Sequence, residues 1–388
     1  MAILNSRARL LCITATLVGI GLVAIYSVSV GRVSRLEDSY RILGKQVLWI
    51  LVGCGGLAAA MKFGYRRMSS RGVSYAFLVS TLVLLLSVLL FGTVCNGAKR
   101  WFRFGAFSFQ PSEIAKLAVI VYMAEVVSRH RGRLESFWKN FLPPLFIVGM
   151  VFGLIVLQPD FGTAMVIAAV GGLMLLVGGA RLSHACLVAG ATIPGIVYLV
   201  ISSPYRIKRV FAFLDPWADA RGAGYHLVQS LTALGLGHVR GKGIGASLQK
   251  LYFLPEAKTD FIFAIVGEEM GFIGCTFIIL IFLLLMWEGI RIATRAPDMF
   301  GSMMAFGITL ILGLQAALNI AVVTASVPPK GITLPFISFG GSALLFCMTA
   351  IGFLADIAAA GDEHALRKKM AAMEPSTAHI IGAIGSHV

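Results

Sequence analysis

The sequence predicts an all-α polytopic integral membrane protein with about ten transmembrane helices and one long extracytoplasmic loop. Three features predict it. Hydrophobic residues make up 58% of the chain and charged residues 13%, and with a mean hydropathy of +0.86 too little polar surface remains to clothe a soluble domain. Apolar runs recur at 10–28, 47–60, 74–90, 114–127, 142–157, 163–179, 184–201, 261–287, 303–323 and 338–355. A helix crossing the roughly 30 Å hydrocarbon layer needs about 20 residues, so each run marks one span and the short ones, 47–60 and 114–127, borrow flanking residues. Lastly, residues 203–260 form the one long polar stretch in an otherwise oily chain, the expected loop at about 203–259.

The connections set the orientation. Arg7 and Arg9 precede the first run, and every second connection is basic: Lys62, Arg66, Arg67 and Arg71; Arg129, Arg131, Arg133 and Lys139; Arg181; Arg291 and Arg295; then Arg367, Lys368 and Lys369. The positive-inside rule places these, and both termini, in the cytoplasm. The first run lacks a following small-residue cleavage site and is expected to be a retained helix. The outward connections also carry cations, among them Lys99, Arg100, Arg103, Arg206, Lys208, Arg209, Lys250 and Lys258. Two explanations stand: a long loop translocates regardless of its charge, or these cations receive an anionic lipid or phosphate. The net charge of +15 sits largely at membrane boundaries, so no nucleic-acid partner is expected. The six cysteines are scattered without metal-ligand spacing, which argues against a structural disulfide or zinc site. No repeat or linker divides the chain. Residues 1–358 are expected to form one membrane domain, and 359–388 a mobile cytoplasmic tail.

Asp260 is the leading site candidate. Leu254-Pro255-Glu256-Ala257-Lys258-Thr259-Asp260 leads straight from the long loop into the run 261–287, and an ionisable group at such a boundary is a functional candidate. The structural alternative is helix capping by Thr259 or Asp260, since a carboxylate there is stabilised by the N-terminal dipole. Glu268 and Glu269 follow two turns into the span. Two adjacent acids there do not both face lipid, so at least one meets a cavity or a cation.

Other blocks surround this one. In Phe109-Gln110-Pro111-Ser112-Glu113-Ile114-Ala115-Lys116, Pro111 suits an early helical position. Glu113 and Lys116 share a helix face, where they pair or jointly address a polar cavity. In Asn96-Gly97-Ala98-Lys99-Arg100-Trp101-Phe102-Arg103-Phe104-Gly105, Trp101 is either an interfacial anchor or, beside Arg100 and Arg103, a platform for a sugar ring or lipid head group. Gln158-Pro159-Asp160-Phe161-Gly162-Thr163 is best explained as a turn with Asp160 capping a helix. Residues 229–236 suit a short amphipathic helix, and the glycines from Gly235 to Gly245 carry only a weak phosphate-loop signal without Walker spacing. Pro328-Pro329-Lys330-Gly331-Ile332-Thr333-Leu334-Pro335-Phe336-Ile337-Ser338-Phe339-Gly340-Gly341-Ser342 implies irregular backbone at membrane depth, covered by protein or lining a cavity. A plain turn with an interfacial lysine is the alternative.

Taken together, these blocks resemble the bacterial SEDS family of shape, elongation, division and sporulation proteins, over nearly the whole chain apart from the tail. The runs Gln249-Lys250-Leu251-Tyr252-Phe253-Leu254-Pro255-Glu256-Ala257 and Ile265-Val266-Gly267-Glu268-Glu269 look more like division-type than elongation-type members. The chain departs from the usual family pattern at Lys258, Pro329 and Phe339, where His, Thr and Tyr are common.

The resemblance implies a peptidoglycan glycosyltransferase that polymerises lipid II at the outer face of the bacterial cytoplasmic (inner) membrane, for septal wall synthesis at the division site. It implies Asp260 as the catalytic base for an acceptor sugar hydroxyl attacking a polyprenyl-pyrophosphate-linked glycan. Trp101, Arg100, Glu113, Lys116, Lys330 and Ser338 are the candidate substrate-binding residues. Lys116, Lys330 or the loop arginines would supply charge for the pyrophosphate, with a divalent cation (Mg or Mn) assisting through ligands that the sequence does not identify. Expected partners are a class B penicillin-binding protein transpeptidase, other divisome proteins and membrane lipid. Two alternatives differ in class: a lipid II flippase, which needs polar groups through the depth of the bilayer, and a non-catalytic scaffold recruiting a transpeptidase, which needs no Asp260.

Overall fold

A computed structural model describes residues 5–385, apart from 33–35, 96–97, 105–106, 131, 133, 252–253 and 255. Of the positions singled out above, Asn96, Gly97, Gly105, Arg131, Arg133, Tyr252, Phe253 and Pro255 therefore lie outside the described residues. The helices are α1 (Ser6–Arg32), α2 (Leu36–Phe63), a short α3 (Tyr65–Met68), α4 (Arg71–Phe91), α5 (Pro111–Arg129), α6 (Leu142–Leu157), α7 (Phe161–Val177), α8 (Leu182–Ile201), α9 (Pro204–Leu214), α10 (Tyr225–Gly237), α11 (Ile262–Arg295), α12 (Met299–Val323) and α13 (Gly341–Gly385). Among the described residues, eight helices are long and apolar enough to cross a membrane, and α7 is a shorter apolar one. With α5 the expected ten are complete. The backbone of α13 is helical through Gly385, well into the expected tail.

The helical membrane fold is as expected, and it carries one small addition. Between α4 and α5 the chain forms a three-stranded antiparallel sheet, β1 (Thr93–Cys95), β2 (Ala98–Phe104) and β3 (Phe107–Phe109). The interleaved cations and aromatics of β2 place Lys99, Trp101 and Arg103 on one face and Arg100 and Phe102 on the other, since side chains alternate along a strand. The long loop likewise holds α9, which the sequence reading left unassigned, and α10 extends the expected 229–236 helix at both ends.

Helix α5 is the axis of the molecule. It starts with Pro111 in its first turn, carries Glu113 there and ends on Arg129, an arrangement that complements the helix dipole. It packs on α4, α7, α12 and α13, and from Pro111 to Val127 nearly every side chain is buried. Protein on all sides is what lets this helix carry Glu113, Lys116 and Glu125 at membrane depth. At one end of the bundle the two chain ends converge. Ser6 N and Oγ both donate to the Asp362 carboxylate at 3.1 Å, Arg9 pairs with the buried Glu288 at 2.8 Å, and the Tyr65 hydroxyl donates to Asp298 at 2.6 Å.

Helix α11 is broken at Gly271, whose φ of 65° lies in the left-handed region. The chain between α10 and α11 replaces the hydrogen bonds lost there. Lys242 N donates to Glu268 O at 3.0 Å, Gly243 N to Glu269 O at 2.9 Å, Phe272 N to His238 O at 2.9 Å and Ile273 N to Val239 O at 3.1 Å. Irregular backbone survives at membrane depth only when satisfied in this way. A Cβ on Gly271 would fall 2.4 Å from Gly241 N and 2.6 Å from Val239 O. Gly271→Val combines that clash with an unfavourable φ. It is expected to prevent recovery of monodisperse protein, or to lower its melting temperature sharply, as size-exclusion chromatography and thermal unfolding will report.

Candidate active site

Two irregular segments meet to build the site, the approach to α11 and the connection from α12 to α13. Ser338 Oγ donates to Thr259 O at 2.6 Å and accepts from Leu334 N at 2.9 Å. Phe339 N donates to Lys258 O at 2.8 Å. Asn319, buried on α12, donates from Nδ2 both to Asp260 O at 2.8 Å and to Ile332 O at 2.7 Å. Gly331 lies so close that a Cβ there would be 3.3 Å from Asp260 Oδ2. Both segments contain a non-glycine residue at positive φ, Glu256 at 53° and Phe336 at 65°, and backbone held in such conformations clusters where function demands geometry.

The capping alternative for Asp260 is not realised. Helix α11 opens at Ile262 with Phe261 before it and no side-chain cap, and among the described residues no donor reaches the Asp260 carboxylate. The carboxylate keeps some access to solvent but is densely surrounded by protein. That desolvation, reinforced by the negative charges of Glu256 and Asp160 and opposed by Arg209 and Arg100, pushes its pKa up to about 7.

Around this acid the other outward blocks converge. Phe161 carries Arg206 at 5.3 Å and Lys330 at 6.0 Å from its ring centroid, as cation–π pairs require. The Lys330 ammonium makes no hydrogen bond or ion pair with any described residue, and burial lowers its pKa. Arg209 donates to Pro329 O at 3.1 Å. His226 stacks on Phe261 with ring centroids 5.8 Å apart, and its pKa is lowered by burial and then by Arg209, which favours the neutral ring. Asp160 caps α7 as expected, accepting from Thr163 N at 3.2 Å. It does more, because its other oxygen accepts from Gln110 Nε2 at 3.1 Å and its charge reaches Asp260.

Several candidates take structural duties. Ser338 is proposed above as substrate-binding, but its hydroxyl is committed to Thr259 and Leu334, so it positions the Asp260 segment. Arg100 holds the β2 strand against the α6–α7 turn by donating to Gln158 O at 2.8 Å and to Pro159 O, while its charge is still felt at Asp260. Trp101 is partly buried on β2, facing away from Arg100 along the strand and opposite Thr93 of β1. Glu113 and Lys116 form a closed pair, with Nζ 2.8 and 2.9 Å from the two carboxylate oxygens and 4.9 Å from the Phe346 ring centroid. The lysine is 1% exposed and its charge is matched, so it offers no free cation to a pyrophosphate. Of the two alternatives for this pair, mutual pairing is realised. Glu113 borders a groove of about 430 Å³ lined, apart from Ser342 and Thr349, by apolar residues such as Phe109, Ile114, Leu117 and Phe346. Residues 109–113 thus join two compartments, with Phe109 and Glu113 in the apolar groove and Gln110 bonded to Asp160 beside the acid.

Asn319 and Phe161 were not singled out as site residues from the sequence, and Arg209 was named there only among the outward cations. An asparagine inside an apolar run was the available signal for Asn319, since a polar side chain at that depth requires partners. Nothing local distinguishes Phe161 or Arg209 from other boundary residues.

Fold and site define a polytopic membrane protein with a largely buried carboxylate of raised pKa, acted on by Arg209 and Arg100, and an apolar groove joined to it by residues 109–113. Residues 8–363 match the family FTSW_RODA_SPOVE, described as cell cycle protein, and the chain belongs to that family. It is 43% identical to stage V sporulation protein E of Bacillus subtilis (strain 168) over 90% of this chain and 95% of the relative. To the probable peptidoglycan glycosyltransferase FtsW of Geobacter sp. (strain M18) it is 41% identical over 87% and 92%. Among solved structures it is similar to a chain from work on the structural coordination of polymerization and crosslinking by a peptidoglycan synthase complex, with a TM-score of 0.72 and 27% identity over 91% of this chain and 97% of that one. The Thermus thermophilus rod shape determining protein RodA shares the fold, with a TM-score of 0.66 and 24% identity over 90% and 95%.

The raised pKa of Asp260 has a consequence for stability. The folded state holds a proton that the unfolded carboxyl releases above its ordinary pKa of 3.8, so stability declines between pH 4 and about 7 and the full penalty is present above that range. Asp260→Asn removes it. The variant is expected to unfold like the parent near pH 4 and to be more stable by on the order of a few kcal/mol at pH 8, as paired thermal melts will show.

Proposed function

We propose that the chain is a peptidoglycan glycosyltransferase that polymerises lipid II at the outer face of the bacterial inner membrane, working at the division site with both termini in the cytoplasm. The observation that carries this reading is the environment of Asp260: a carboxylate that receives no hydrogen bond from the described residues, with a pKa of about 7, close against Gly331, whose chain neighbour Lys330 has no ion-pair partner among the described residues. At neutral pH such a group is close to half ionised, the condition under which a general base is most effective.

In the reaction, a hydroxyl of the acceptor sugar attacks the anomeric carbon of the donor glycan. The new C–O bond forms as the bond from that carbon to the pyrophosphate oxygen breaks, the bonding electrons leave with the polyprenyl pyrophosphate, and the hydroxyl proton passes to the Asp260 carboxylate. Negative charge grows on the leaving oxygens, and a partly buried ammonium without a protein counter-ion stabilises it. Lys330 fills that role, with Arg206, which also lies over the Phe161 ring, adding positive potential. The described residues include no group of three His, Cys, Asp or Glu side chains suited to holding a metal ion, so no step is routed through a divalent cation. The apolar groove at Glu113 suits a polyprenyl chain, and residues 109–113 connect it to the acid.

Relatives named probable peptidoglycan glycosyltransferase support the activity, and the division branch is favoured by their similarity. The likeness to a chain of a peptidoglycan synthase complex supports a class B penicillin-binding protein as partner. A flippase route needs unpaired polar groups through the bilayer; here the interior acids Glu113, Glu268, Glu269 and Glu288 are paired with Lys116, Lys242, Lys250 and Arg9.

With fluorescent lipid II and the chain reconstituted with its transpeptidase partner, glycan polymer is expected from the parent and none from Asp260→Ala. Polymer from Asp260→Ala would refute the base assignment. The parental rate should rise with pH through about 7 and level off, because only the ionised carboxylate accepts a proton. Lys330→Met is expected to lower kcat by about 100-fold, comparable to losing one charge-stabilising donor, while the parental pH profile is kept.

A further inference from the structure

Beneath Asp260 lies a second cluster of buried charges that the reaction above does not use. Glu269 of α11 accepts from Lys250 Nζ at 3.0 Å and from Ser27 Oγ of α1 at 2.5 Å. Lys250 Nζ also reaches Ser27 Oγ at 3.0 Å and Gly245 O at 2.6 Å. Next to it, Glu268 accepts from Lys242 Nζ at 3.2 Å, Leu248 N at 3.0 Å, Gln249 N at 3.2 Å and Ser247 Oγ. Lys250, Glu268 and Glu269 are all buried, at 3%, 0% and 5% exposure.

Every one of these groups is satisfied by protein. Three partners meet the Lys250 ammonium, and four donors surround the Glu268 carboxylate, so neither has a free valence for substrate. The cluster is also poor value as mere stabilisation, because a buried ion pair often contributes no more than well-packed apolar side chains would. What it provides is direction. The pair Lys250–Glu269 spans a separation of 19 residues, and Glu256 and Asp260 lie inside the loop that it closes. Glu268 ties down residues 248 and 249 on the entering side of the same loop, while α1 contributes Ser27 from outside it.

We propose that Lys250, Glu269 and Ser27, with Glu268 and its four donors, form a positioning clamp that sets the place and burial of the catalytic Asp260. This deepens the glycosyltransferase reading and rests on it. The clamp fixes the lower stem of the loop as Asn319 and Ser338 fix its upper end, so Asp260 cannot withdraw into solvent or rotate away from Gly331. Loosening the lower stem hydrates the carboxylate and returns it towards ordinary acidity, while the substrate-binding surfaces stay in place. The loss therefore falls on kcat.

The test uses the reconstituted full chain with its transpeptidase partner and fluorescent lipid II. Removing Lys250 alone strands Glu269 in the interior and endangers folding, so the double variant Lys250→Met/Glu269→Met and the milder Ser27→Ala are compared with the parent and with Asp260→Ala. For the double variant the clamp predicts a melting temperature close to the parent, kcat lower by at least about tenfold, KM within about twofold, and an acid limb of the pH–rate profile displaced to lower pH. For Ser27→Ala it predicts the same displacement with a few-fold loss of kcat. Parental kcat and an unmoved acid limb in a well-folded double variant would overturn the clamp while Asp260→Ala still abolished polymer. So would a loss that merely tracked the folded fraction. Polymer from Asp260→Ala would instead remove the catalytic reading, and the clamp's purpose with it.

Discussion

The side-chain amide of Asn319 holds the functional end of this molecule together. Its Nδ2 donates to the carbonyls of Asp260 and Ile332 at once, tying the approach to α11 to the connection that carries Lys330. Both segments are non-helical where a membrane protein can least tolerate free backbone groups, and each unsatisfied carbonyl there would cost several kcal/mol. One buried donor group on a rigid helix removes two such costs and fixes the spacing of acid and lysine. Ser338 and Phe339 add two more cross-links between the same segments.

The same constraint explains the rest of the architecture. Wherever the chain leaves helical geometry inside the bundle, another segment supplies the missing partners: residues 238–243 at the Gly271 break, Arg100 at the turn between α6 and α7, and Asn319 and Ser338 at Asp260. Charges obey a parallel rule. Lys116, Lys250 and Glu268 are buried only because each is fully matched, which leaves them inert. Lys330, without an ion-pair partner, and Asp260, without a donor, are not matched in this way among the described residues.

Chemistry and lipid handling are divided between two compartments that share one short piece of chain. Phe109 and Glu113 face the apolar groove, whereas Gln110, one residue from Phe109, bonds to Asp160, whose charge reaches Asp260. A substrate with an oily tail and a sugar-pyrophosphate head needs such a division, because one cavity cannot solvate both ends. The closed Glu113–Lys116 pair keeps the groove free of net charge, which an acyl chain requires.

Composition and run length by themselves determined the helical membrane fold, the number of spans and the place of the long loop, because burying apolar side chains and satisfying backbone within each segment are local demands. Asp260 was legible for the same reason, as a charge at a membrane boundary. Glu268 and Glu269 were recognisable as acids in need of partners, but not which lysines would answer. The β-sheet between α4 and α5 went unseen because its strands are short and lie among aromatic residues that equally suit an interface. Only the tertiary structure decided that Asp260 does not cap its helix, that Lys330 has no counter-ion among the described residues, and that Ser338 and Asn319 serve the backbone. Each of these depends on which of two distant segments brings its donor or charge first within reach, and pairing across some 60 to 240 residues, such as Asn319 with Asp260 or Ser27 with Glu269, leaves no mark on the local sequence.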